Sequence, residues 1–85
     1  MTPPPPPESP CQMMARLAQE QAAGIGGTEE RVGELRTRIT GLEAQPNPAG
    51  AQIGALRQAL ETLEKKVVDD RAALAALEDV IRENC

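Results

Sequence analysis

The chain has 85 residues, a net charge of −4 and no Phe, Tyr, Trp or His. A chain this short holds one small domain, buries little surface and often needs a covalent staple. The missing histidine removes the commonest general base and metal ligand. The missing aromatics and the acidic balance leave neither base stacking nor counterion release for nucleic acid, and no attraction to anionic membrane surfaces.

Residues 1–8 form a polyproline arm, with five consecutive prolines from Pro3 to Pro7. Such a run favours an extended, semi-rigid polyproline II segment. It could offer a ligand to an SH3- or WW-type groove, but it lacks the flanking Arg or Lys that orients such ligands, and a spacer is the preferred reading. The N-terminus also lacks the basic region and apolar core of a Sec signal peptide.

The hairpin then covers 9–85. Ser9, Pro10 and Gln12 make a helix start: a capping hydroxyl, a proline at the first helical position and a glutamine three residues after the cap. Helix 1 is expected over about 10–44, because Pro46 pushes the residue before it out of the helical region. A turn at 45–47 follows. Asn47-Pro48 repeats the cap-and-proline signal and opens a second helix over about 48–84. Each helix is on the order of 50 Å long at 1.5 Å per residue.

Both helices carry a heptad pattern, mostly apolar, with positions at alternating spacings of three and four. In helix 1 the stripe is Cys11, Met14, Ala18, Gln21, Ile25, Thr28, Val32, Leu35, Ile39 and Leu42. In helix 2 it is Ile53, Leu56, Leu60, Leu63, Val67, Asp70, Leu74, Leu77, Ile81 and Asn84. The spacing never slips, which predicts an all-α fold: an antiparallel two-helix coiled-coil hairpin. Two helices alone leave the flanks of the seam wet, and pairing into a four-helix bundle would cover them.

A short turn sets the register. Leu42 and Ile53 are the seam residues nearest the turn, and stepping outward from them pairs Ile39 with Leu56, Leu35 with Leu60, Val32 with Leu63, Thr28 with Val67, Ile25 with Asp70, Gln21 with Leu74, Ala18 with Leu77, Met14 with Ile81 and Cys11 with Asn84. Helical side chains lean toward the N-terminus. With that lean, one flank joins Glu43 to Arg57, Arg36 to Glu64 and Glu29 to Arg71, all opposite in sign. The other flank joins Leu17 to Val80 and places Arg31 beside Lys66, a like-charge pair expected to splay into solvent.

Cys11 and Cys85 fall together at the open end. An intramolecular disulfide is the preferred reading, ahead of free thiols and of a bond between two chains. Closing so long a loop stabilises by about 4.5 kcal/mol in the chain-entropy model, and a stable bond implies an oxidising or extracellular compartment. Two thiols without His or a third Cys make a poor zinc site.

The middle of the hairpin is the candidate interaction region. Gln21, Thr28 and Asp70 put polar groups into three successive layers, Gly24, Gly26 and Gly27 weaken helix 1 over the same stretch, and Arg31 and Lys66 lie beside it. These features predict a weak segment in which helix 1 kinks or opens, with Asp70 partnered by Arg71 on its own helix or Gln21 across the seam. Gly24-Ile25-Gly26-Gly27 is no phosphate loop, since no strand precedes it and no G-K-[ST] follows. Asp69-Asp70 reads as a solvated residue beside a tolerated seam polar group, rather than a carboxylate dyad. The alanines at 72, 73, 75 and 76 suit either helix propensity or close approach of a second hairpin.

In length and shape the hairpin resembles the WXG100 class of secreted helical hairpins. That class has a Trp-x-Gly turn, where this chain reads Pro46-Asn47-Pro48-Ala49-Gly50, and a C-terminal tyrosine-containing export signal with no counterpart here, so no residues are carried over. No set of nucleophile, base and oxyanion donors can be assembled, and neither enzymatic activity nor a cofactor is expected. The expectation is a structural or protein-interaction module that binds itself or another protein, not nucleic acid or membrane. The alternatives are a small secreted hairpin effector and an adaptor acting through the proline arm.

Overall fold

A computed structural model describes residues 2–85. It is a helical hairpin of two elements, α1 (Pro10–Glu43) and α2 (Gly50–Asn84), packed along their length; with the segments outside the helices the described chain extends 65 × 36 × 15 Å. Residues 2–9 lie outside both helices and are exposed.

The start of α1 forms as its sequence dictates. The Ser9 hydroxyl accepts from the Gln12 backbone N–H at 3.1 Å, and the Gln12 side chain accepts from the Ser9 N–H at 3.0 Å. Two otherwise unpaired donors are thereby satisfied reciprocally. At the other end the Ala44 and Gln45 N–H groups bond back to Thr40 and Leu42, and the chain leaves the helix just ahead of Pro46.

The second helix starts later than expected. Its first residue is Gly50 and its N-cap is Ala49, which offers no side-chain acceptor. Asn47 and Pro48, read as cap and first position, belong instead to a connection over 44–49. Pro46 and Pro48 both disfavour helix in the residue before them, and the chain must cross the 8–10 Å that separates packed helix axes. A three-residue turn gives way to a longer, uncapped one.

Burial reproduces the seam. Every α1 stripe residue from Cys11 to Leu42 is at least partly buried, as is every α2 stripe residue from Ile53 to Ile81, whereas almost every other position is exposed. Two departures stand out. Glu64 is partly covered because it packs against Arg36 across the helices. Asn84 is exposed and its side-chain amide bonds to the Val80 carbonyl, so the last expected layer is closed by Cys85 in its place.

The core is thin. Ile25, Val32, Ile39, Ile53 and Val67 are the buried apolar residues, with Thr28 beside them. All lie between the turn and the middle of the hairpin; the outer stretches, 11–24 and 68–85, contain no buried residue.

The three expected interhelical ion pairs all form. Arg57 meets Glu43 at 2.8 Å, Arg36 meets Glu64 at 3.0 Å, and Arg71 meets Glu29. Each is exposed, and a double-mutant cycle on Arg57→Ala and Glu43→Ala should give a coupling of only about 0.3–0.5 kcal/mol. Their value lies in the register: a shift of one heptad would set arginine against arginine and glutamate against glutamate on this flank.

Candidate interaction surface

The polar layers in the middle are closed, not open. The α1 helix runs without interruption through Gly24–Gly27, contrary to the expected kink. Each polar group has a local solution. The Thr28 hydroxyl donates to the Gly24 carbonyl at 3.1 Å, so only its methyl group need face the seam. The Gln21 amide crosses the seam and donates to the backbone carbonyl of Asp70 at 3.2 Å. The Asp70 carboxylate turns outward to Lys66 at 2.6 Å. Neither Arg71 nor Gln21 partners that carboxylate, because Arg71 is committed to Glu29 and Gln21 to the carbonyl. With the polar groups satisfied, Ile25 and Val67 bury at these levels.

The eight candidate residues therefore separate. Thr28 is buried, and Gln21 and Asp70 are half-buried in the interhelical bond. Gly24, Gly26, Gly27, Arg31 and Lys66 are exposed. A β-carbon added at any of the three glycines would meet nothing within 4 Å. Within one hairpin, neither packing nor backbone conformation requires glycine there. Asp69 is solvated, as are the alanines at 72, 73, 75 and 76.

The two flanks of the seam differ in kind. One carries the three ion pairs, over a shallow groove whose walls are Glu29, Arg36, Glu64 and Arg71. The other carries Leu17, Gly24, Arg31 and Arg38 from α1 and Ala59, Lys66, Ala73 and Val80 from α2. On its turn-side half a groove with an apolar floor of Leu35, Leu56 and Leu63 lies beside Arg31, Glu34 and Arg38. On its outer half Leu17 and Val80 stand 42% and 43% exposed, with Met13 beside them at 45%. The Leu17–Val80 pairing that sequence placed here thus leaves both side chains largely wet. Val68 is more exposed still, on the opposite side of α2, and nothing in the structure explains it.

At the open end the Cys11 and Cys85 sulfurs are 2.16 Å apart and their Cα atoms 6.1 Å apart, a disulfide across the hairpin mouth. Sequence reasoning missed one feature nearby. Arg16 holds Glu8 through two nitrogens, at 2.9 and 3.1 Å, and also reaches Glu20 at 3.0 Å. The signal was faint: an Arg–Glu pair one turn apart, with an acid just before the cap. This contact ties the base of the proline arm to α1. The Arg16 hydrogen bonds hold the Glu8 carboxyl below its ordinary value of 4.5. A lowered carboxyl stabilises the contact above that ordinary value and loses this contribution as pH falls through the lowered one. NMR titration should place the Glu8 carboxyl below its ordinary value, and Arg16→Gln should restore it to that value.

Among the described residues, no helix is long and apolar enough to cross a membrane. Comparison with protein families, with curated proteins and with solved structures finds no match.

Proposed function

We propose that the chain is a structural or protein-interaction module: a coiled-coil hairpin, closed by its disulfide, that presents one flank to another protein surface. The observation that carries this reading is the asymmetry of the flanks. One is occupied by its own ion pairs, whereas the other exposes Leu17, Val80 and an apolar groove beside uncommitted arginines. Exposed apolar side chains gathered on one face mark interaction sites more often than singly scattered ones do. The rigid seam and the covalent mouth hold that face in one geometry, which lowers the entropy cost of docking.

The test is co-purification of tagged full-length chain from its native source, comparing three versions. Replacing Leu17 and Val80 by glutamate should abolish the specific association, whereas deleting residues 2–7 should leave it intact. The reverse result would favour an adaptor acting through its proline arm. Association indifferent to both changes would overturn the flank as the working surface.

A further inference from the structure

We propose that the partner of this open flank is a second copy of the same chain, docked antiparallel about a two-fold axis that crosses the hairpins at the level of Gly27 and Asp69–Asp70. The inference rests on the interaction-module reading and names its partner. It comes from how the flank is laid out on either side of its middle. The outer half projects Leu17 and Val80; the turn-side half has the groove floored by Leu35, Leu56 and Leu63. Projection and groove lie at about the same distance from the Gly27 level, on opposite sides of it. A two-fold axis perpendicular to the helices exchanges the two halves. It seats Val80 of each copy at the level of Ala59 in the other, between Leu56 and Leu63, and seats Leu17 against the stem of Arg38 beside Leu35. Nearer the axis, Gly24 meets Arg31 of the second copy and Ala73 meets Lys66. At every level a small or apolar residue faces a longer one, so the surfaces interlock. A two-fold axis parallel to the helices would instead bring Leu17 and Val80 of both copies to one level and leave the grooves empty.

Charge agrees with this pairing. Among the described residues, Arg31 and Arg38 make no ion pair within their own hairpin. In the antiparallel dimer, Glu20 of one copy, held by Arg16 of its own helix but with acceptor capacity to spare, arrives at the level between these two arginines of the other, where Glu34 also stands. Two acids then share two bases, and the splayed Arg31 gains a partner. The area is adequate as well. A flank about 50 Å long and about 15 Å wide gives on the order of 1,500 Å2 from both copies, the size of a standard stable interface. The glycines also acquire a reason. Gly24 and Gly27, idle within one hairpin, lie beside the axis, where a bare backbone lets the copies approach.

The experiment is sedimentation equilibrium on the oxidised full chain over a broad concentration range. It compares wild type with Val80→Glu, Leu17→Lys, which would face Arg38 of the other copy, and the control Val68→Glu, with circular dichroism confirming equal helicity. Wild type should be a dimer. Each flank variant should raise the dissociation constant by on the order of 100-fold, as loss of an apolar anchor seated in a groove does. Val68→Glu, equally apolar to charged but off the flank, should change it little. In a mixture of differently isotope-labelled copies, the Val80 methyls should show contacts to Ala59 of the other copy. A monomer at all concentrations would overturn self-docking while leaving open a different protein on the same flank, which the co-purification test reads separately. A dimer unaffected by the flank variants, or one with contacts between Val80 and Val80, would overturn the proposed face or axis.

Discussion

Replacing Cys85 by serine should lower the unfolding free energy by about 4.5 kcal/mol, the chain-entropy value for a loop of this length. The loss should be large relative to the whole, since small domains hold only about 5–15 kcal/mol in total and this one buries few apolar side chains. It should also be uneven. Residues 11–24 and 68–85 include no buried side chain, so once the mouth is unclamped the helix ends have little tertiary packing to hold them. Hydrogen exchange should show fast amides over 12–22 and 74–84 in Cys85→Ser, while those near Val32 and Ile39 keep most of their protection. Uniform loss along both helices would mean that the hairpin opens as a single unit, and an unchanged melting curve would mean that the bond contributes nothing to folding.

The second large effect runs the other way. Replacing Gly24, Gly26 and Gly27 together by alanine should stabilise an isolated hairpin by roughly 2–3 kcal/mol, near 1 kcal/mol per helix-interior glycine. None has a positive φ, and an added β-carbon meets nothing at any of the three. Urea unfolding should show a raised midpoint with an unchanged slope. The positions should differ once association is measured. Gly26→Ala, pointing away from the open flank, should stabilise without affecting association. Gly24→Ala should stabilise the hairpin and weaken self-association, because its methyl group would stand in the contact. Destabilisation by Gly26→Ala would show that helix 1 is not continuous there.

Together these two changes separate what holds the rod shut from what it is shaped to meet. The disulfide acts on the unfolded chain and on the mouth. The glycines concern the middle, where a purely structural rod would gain from alanine at each position. Under the proposed docking, close approach of a second copy would account for the gain forgone at Gly24 and Gly27; nothing in the structure explains it at Gly26.

Much of this was legible in the sequence, because a two-helix hairpin is governed by local and periodic rules. An unbroken three-four spacing specifies which residues must share a seam, and one short turn then sets every layer. The three interhelical ion pairs and the meeting of Cys11 with Cys85 follow from those two facts, since each depends only on spacing along a helix of known rise, and the Ser9–Gln12 capping box follows from a local motif alone. What required the tertiary structure was the outcome of competition between groups. Asn47-Pro48 is a good helix start in isolation, but two prolines and the gap between axes delay α2 to Gly50. Asp70 had several eligible partners, and it turned to Lys66 because Arg71 was taken by Glu29 and the amide of Gln21 by a backbone carbonyl. For the same reason the middle, polar by composition, packs closed. The difference between the flanks was likewise decided in three dimensions. Periodicity places Leu17 and Val80 beside the seam and implies that two helices leave its flanks wet; the packed helices decide the degree, leaving the pair 42% and 43% exposed because two layers of side chains are too thin to cover them.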